Sequence, residues 1–195
     1  MARLVYFKVI QNSNLLRLVI SEGEESSAYT VRERVYADIG KPTKGSEITD
    51  GELELIISED EYIRCKKRAL YLLSIADNNE RGLYSKLRAK GFSHDIAIDV
   101  CHEMTSLGYI NENEQLERLV LREANERLAG ARKISLKLAA KGYRIDQIRD
   151  AMQRLSDSGE LDFLVNARTL IQRKLGENPT DEEKNALLVK YGYRK

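Results

Sequence analysis

Eight basic side chains crowd residues 127–154: Arg127, Arg132, Lys133, Lys137, Lys141, Arg144, Arg149 and Arg154, against only Asp146 and Asp150. That density suits one chemistry, the neutralisation of a polyanion. Lys133, Lys137 and Lys141 recur at i, i+4 spacing, so a helix would align them on one stripe. Arg132 stands beside the start of that stripe, Arg144 in the corner beyond it, and Arg149 and Arg154 on the next helix. The ridge fits phosphates, with salt-dependent and largely sequence-independent binding. It fits an acidic protein groove equally well, and a plain solvated face is the third reading. The chain as a whole hides this bias, because its formal net charge is only +1. Residues 1–60 carry seven Lys/Arg against eleven Asp/Glu, whereas residues 61–195 carry 25 against 20.

Catalytic groups are harder to assemble. Neither G-x-x-x-x-G-K-[ST] nor G-x-G-x-x-G occurs, which disfavours nucleotide hydrolysis and dinucleotide binding. The two histidines, His94 and His102, and the two cysteines, Cys65 and Cys101, form no C-x-x-C or H-E-x-x-H pattern. Cys101 and His102 are neighbours and would point about 100° apart on a helix, which rules out a catalytic pair. Both cysteines fall on apolar faces, as buried thiols do. Glu22, Glu24 and Glu25 read as an exposed turn, and Glu59, Asp60 and Glu61 as acidic residues favouring a helix N-terminus. The expectation is a non-enzymatic protein without cofactor or metal. No apolar run approaches the roughly 20 residues that span a bilayer, and the N-terminus lacks signal-peptide character. The expected setting is cytoplasmic.

An internal repeat organises the elements that must hold the basic ridge. Leu87-Arg88-Ala89-Lys90-Gly91-Phe92 returns 51 positions later as Leu138-Ala139-Ala140-Lys141-Gly142-Tyr143, and again, weakly, as Leu188-Val189-Lys190-Tyr191-Gly192-Tyr193. The register holds from Arg81 against Arg132 to Gly108 against Gly159, and such periodicity marks a repeat array. Each copy reads as a helix end: a leucine into the core, a glycine able to take the left-handed conformation, and an aromatic folding back. The corners are therefore Gly91-Phe92, Gly108-Tyr109, Gly142-Tyr143 and Gly192-Tyr193. Lys90 and Lys141 sit in last turns, where the helix dipole favours a cation.

The expected fold is α+β: a small N-terminal antiparallel β module followed by an elongated, mainly α array of tandem three-helix repeats. The β module covers residues 1–57, with strands at 3–10 and 14–21, a third extended run from Ser27 to Val35, and a loop from Gly40 to Gly45. Thr49 and Glu52 fit a capping box for a short helix at Leu53–Ile57, although Leu55–Ile57 could be a strand. Ser58 to Glu61 reads as a second capping box opening repeat 1, residues 58–110. Its helices end near Asp77–Asn79 and at Lys90, and its third carries Ile96, Val100, Met104 and Leu107. Repeat 2, residues 111–160, has a long first helix with Leu116, Leu119, Val120 and Leu128, then helices at 131–141 and 146–158. Repeat 3, residues 161–195, is incomplete and lacks its last helix. The pair 131–141 and 146–158 also fits a helix-turn-helix, but Asp146, Asp150 and Asp157 make a poor major-groove face.

Ala69-Leu70-Tyr71-Leu72-Leu73, Arg81, Leu87-x-x-Lys90-Gly91-Phe92 and Leu107-Gly108-Tyr109-Ile110-Asn111-Glu112 together resemble the RecX family of recombinase regulators. Arg122, the helix from Gly130 with Ile134 and Leu138, and Lys141-Gly142-Tyr143 extend the resemblance over roughly residues 60–193. The segment Val31 to Leu53, with Lys44-Gly45-Ser46-Glu47-Ile48, resembles a leader found in some members. The early Gly192-Tyr193 departs from the family's complete third repeat. The resemblance implies a monomeric regulator acting in homologous recombination, DNA repair and the SOS response. It implies binding to RecA recombinase filaments on DNA, most often inhibiting them, with possible direct contact to single- or double-stranded DNA. A stand-alone helical DNA-binding module and a structural docking scaffold are the alternatives. The filament contacts, chosen from charge alone, are the eight basic residues of 127–154.

Overall fold

The computed structural model describes residues 1–193. The chain divides into two compact units. One comprises Met1–Ala76 with Leu83–Leu107, and the other Asp77–Gly82 with the residues from Gly108 on.

The first unit opens with a four-stranded sheet of β1 (Ala2–Val9), β2 (Leu15–Glu22), β3 (Glu25–Arg32) and β4 (Glu47–Ile48), in the order β3-β2-β1-β4. All neighbours are antiparallel. Alternation puts Leu16, Leu18 and Ile20 of β2 on the buried face, beside Ala2 and Leu4 of β1. The register shifts between Leu4 and Tyr6, so Leu4 opposes Ile20 but Tyr6 opposes Val19. The extra residue ends the alternation, and Val5 to Val9 lie outside the core.

Three features differ from the sequence expectation. The third extended run ends at Arg32, not Val35, because helix α1 (Glu33–Asp38) follows at once. It buries Tyr36, whose hydroxyl donates to the Pro42 carbonyl at 2.7 Å. β4 is an addition. So is the length of α2, which runs without a break from Asp50 to Ile75. The Thr49–Glu52 capping box opens it: Glu52 N–H donates to the Thr49 hydroxyl at 3.3 Å and Thr49 N–H to the Glu52 carboxylate at 2.8 Å. Ser58 is therefore in mid-helix and caps nothing, and Leu55–Ile57 is not a strand.

The acidic run after Ser58 serves another purpose. β3 is an edge strand, and its outward N–H groups need acceptors. Asp60 accepts from Thr30 N–H at 2.8 Å, and Glu59 accepts from both the backbone and the guanidinium of Arg32. Both carboxylates are buried. The N-terminal half of α2 adds Leu53 and Ile56 to the sheet's core. Its C-terminal half buries Cys65, Ala69 and Leu72 and packs against α4 (His94–Ser106), which buries Ile96, Ala97, Val100, Cys101 and Met104. In chain order α3 (Glu80–Arg88) comes before α4 and buries Leu83 and Leu87.

The second unit contains α5 (Glu112–Leu121), a π-helical turn (Arg122–Glu126), α6 (Ala131–Ala140), α7 (Ile145–Asp157), α8 (Phe163–Leu175) and α9 (Asp181–Tyr191). Its core holds Leu116, Val120, Ala124, Ile134, Leu138, Tyr143, Ile148, Ala151, Leu155 and Leu161. The long first helix expected through Leu128 stops at Leu121. The wider turn takes over, and Leu128 then adopts a left-handed φ of 53° that ends helical pairing. Asn79 ties the start of α3 to the α6 corner, its Oδ1 accepting from Gly82 N–H at 2.8 Å and its Nδ2 donating to the Lys141 carbonyl at 3.1 Å. Gly91, Gly108, Gly142 and Gly192 all have positive φ. The aromatics after them differ: Tyr143 is buried, Phe92 and Tyr193 half-buried, and Tyr109 exposed.

Candidate functional site

The basic side chains of 127–154 divide by what they touch. Lys137 is committed: its ammonium lies 2.7 and 2.6 Å from the two carboxylate oxygens of Glu123. Glu123 sits on the π-helical turn, only 3% exposed, and takes Arg127 as a second partner at 3.1 Å. A carboxylate that deep is costly to bury without paired charge, so both cations serve the fold. Arg144 turns onto Asp146 at 2.6 Å, and that pairing raises its already high pKa while lowering that of Asp146. Arg154 reaches across to Glu117 at 2.9 Å. The helical stripe drawn from Lys133 through Lys137 to Lys141 is thus interrupted at its centre.

Arg132, Lys141 and Arg149 are exposed and make no ion pair among the described residues. Lys133 is exposed too, with its ammonium 4.6 Å from the Tyr191 ring centroid. That contact belongs to a larger join. The first N–H groups of α6 lack helical acceptors. Here the last Gly-aromatic corner supplies them: Gly130 N–H donates to the Tyr191 carbonyl at 2.8 Å and Arg132 N–H to the Gly192 carbonyl at 3.1 Å. The Tyr193 hydroxyl donates to the Leu128 carbonyl at 3.2 Å.

The join brings Lys190 beside Arg132 and Lys133. The three cations, with Leu136, Val189 and Gly192, line an open cleft of about 250 Å³. Leu136 and Val189 are exposed at 64% and 44%, giving the cleft an apolar floor within a basic rim. Charge density alone missed Lys190, because it lies outside residues 127–154. The available signal was its place in the third copy of the repeat, one position before the residue that matches Lys141. Lys141 and Arg149 do not line this cleft.

Such a surface binds; it holds no acid–base pair. Among the described residues no group of three His, Cys, Asp or Glu side chains could hold a metal ion, and no helix is long and apolar enough to cross a membrane. Cys65 and Cys101 are both buried. Burial, and then the neighbouring Cys101, pushes the Cys65 thiol up to about 12, so it stays protonated.

No family model matches the chain. Sequence relatives are nonetheless consistent. The regulatory protein RecX of Clostridioides difficile (strain 630) is 29% identical over 147 residues, covering 75% of this chain and 67% of the relative. That of Clostridium tetani is 29% identical over 146 residues, covering 68% and 67%. That of Stenotrophomonas maltophilia is 32% identical over 111 residues, covering 57% and 65%. In fold, the crystal structure of a regulatory protein RecX aligns over 100% of this chain and 95% of its own, with a TM-score of 0.73 at 17% identity. RecX from Lactobacillus salivarius aligns over 68% and 86%, with a TM-score of 0.55 at 21% identity. The β module followed by serial helices is common to them. Sequence and fold thus converge: the chain is similar in sequence to RecX regulatory proteins and shares the fold of their solved structures.

Proposed function

We propose that the chain is a non-enzymatic regulator that binds RecA recombinase filaments on DNA and lowers their activity. Similarity to the RecX regulators supports the regulatory role. The observation that carries the contact surface is the Arg132–Lys133–Lys190 cleft, where three cations without carboxylate partners among the described residues rim exposed Leu136 and Val189. A filament offers nucleic-acid phosphates and acidic protein side chains, and the apolar floor adds contact area that phosphate binding alone does not use. Lys141 and Arg149 widen the basic field. Arg127, Lys137, Arg144 and Arg154, already paired, contribute less.

Co-sedimentation with recombinase–single-strand filaments at moderate salt tests this. The double reversal Lys133→Glu/Lys190→Glu should weaken binding by roughly tenfold or more, since rim charges of this kind set association and its salt dependence. It should also relieve inhibition of strand exchange. Unchanged co-sedimentation would remove the cleft from the contact surface. Binding to bare DNA as tight as to the filament, and weakened equally by Lys133→Glu/Lys190→Glu, would favour a stand-alone DNA-binding module instead.

A further inference from the structure

A second basic cleft lies in the first unit, outside the ridge discussed above. Helix α2 presents Arg64, Lys67, Arg68 and Tyr71 at i, i+3, i+4 and i+7, which is one helical face. The first Gly-aromatic corner sets Lys90 and Phe92 beside them, and the six side chains line an open cleft of about 480 Å³. Arg64 is paired with Asp60 at 2.7 Å. Lys67, Arg68 and Lys90 have no carboxylate partner among the described residues, and no acidic side chain lines the cleft.

Arg68 is the informative residue. Its guanidinium carbon stands 5.0 Å from the Tyr71 ring centroid, and its Nε is buried with no hydrogen-bond partner. A buried charged donor without an acceptor is rare, because its lost hydration is not returned. An anion entering the cleft would return it. Tyr71 is 53% exposed although Ala69 and Leu72 beside it are buried, so an aromatic face is held out to solvent. Phe92 supplies a second, half-buried ring. Cations alone would suit any acidic partner. Cations interleaved with aromatic rings suit a phosphate that carries a planar base, which stacks while its backbone is neutralised.

We propose that this cleft binds a phosphate with its adjoining base. The phosphate meets Lys67, Arg68 and Lys90, and the base lies against Tyr71 or Phe92. The same chemistry is offered by a nucleic-acid single strand and by a free nucleotide. This inference stands apart from the recombinase reading, because it is tested on the full chain without recombinase.

The test is fluorescence anisotropy with a labelled oligothymidylate, competed by thymidine monophosphate and by an oligoglutamate peptide. The wild-type chain should bind the strand in a salt-dependent manner. Lys67→Glu/Lys90→Glu should weaken it and flatten the log–log salt slope by about 2. Tyr71→Ala should weaken it by roughly tenfold with little change of slope. Both variants alter exposed side chains and should keep the wild-type melting temperature. Competition by the monophosphate at concentrations comparable to the strand identifies a free nucleotide as the ligand; competition only by strand identifies nucleic acid. Three results would overturn the proposal: no binding of strand or nucleotide, wild-type affinity in both variants, or displacement by oligoglutamate as effective as by strand. The last would assign the cleft to an acidic peptide.

Discussion

Gly130 and Gly192 meet backbone to backbone: a Cβ on Gly130 would lie 2.5 Å from the Gly192 carbonyl oxygen and 2.5 Å from Tyr193 N. Neither obstacle is a flexible side-chain end, so a methyl group there must push the corner away. Because that corner supplies the acceptors for Gly130 and Arg132 N–H, displacement also uncaps α6. Gly130→Ala should lower the melting temperature by roughly 5 °C or more, the scale of overpacking in a small unit. Proteolysis should then cut first in the segment after Gly176. Gly51→Ala is the control. Gly51 lies in α2, and its Cβ would meet nothing within 4 Å. That change should raise stability by about 0.5–1 kcal/mol through helix propensity. Equal melting temperatures for the Gly130 variant and wild type would refute the join.

Lys137 looks like a binding residue by sequence and behaves as a folding residue by contact. Glu123 is nearly inaccessible, with two cations on it. Removing Lys137 leaves Arg127, itself largely exposed, to compensate a buried carboxylate. Lys137→Met should cost about 1–3 kcal/mol, within the range for losing a charged hydrogen bond to a buried group. Lys133→Met, which loses only an exposed cation over Tyr191, should cost well under 1 kcal/mol. Chemical denaturation resolves the two. On filament binding the order should reverse, with the folded Lys137 variant near wild type and the Lys133 variant weakened. A Lys137 variant as stable as wild type would show that Glu123 does not depend on it.

What the sequence revealed follows from which interactions are local. The repeat, the glycine corners and the helix registers are legible because capping and periodicity are written within a few residues of where they act. The Thr49–Glu52 box is of that kind, and both of its hydrogen bonds form. Ser58-Glu59-Asp60-Glu61 carries the same signature and means something else. Its carboxylates answer N–H groups on β3, about 30 residues earlier. A local pattern cannot separate a helix cap from a strand-edge acceptor. The division of the basic ridge is invisible for a related reason. Charge counts show eight cations, but whether each meets Glu123, Glu117 or solvent depends on how α5, the π-helical turn, α6 and α7 pack. Lys190 joins the site only because the last corner folds onto α6.

Arg32 links two ionisable groups whose opposite shifts set a pH window for the first unit. It bonds Glu59 and lies 5.0 Å from the Tyr62 ring centroid, and Tyr62 donates to Glu103 at 2.6 Å. For Glu59, burial opposes ionisation, but the Arg32 hydrogen bond and charge outweigh it and the carboxyl falls below its ordinary value. Glu103 is lowered likewise, burial being outweighed by Lys66 and Tyr62. Groups with depressed folded pKa values stabilise above their unfolded values, and that contribution is lost as pH falls through the folded ones. Tyr62 moves the other way: burial, then Glu103, pushes it up to about 12. Its neutral form favours folding, so its contribution is full below an unfolded value of about 10 and disappears as pH rises through about 12. Stability should therefore plateau between about pH 5 and 10 and fall on both sides. Glu59→Gln should lose stability at neutral pH, and its deficit relative to wild type should shrink as pH drops below about 4.5. Tyr62→Phe should leave the Glu59 part of that acid limb intact, shrink the Glu103 part and remove one late phenol from the ultraviolet titration. Tyr193, also raised to about 12 by burial, would remain as a late phenol. A Glu59→Gln deficit that stays constant through the acid limb would show that Arg32 does not hold this carboxylate in its charged form.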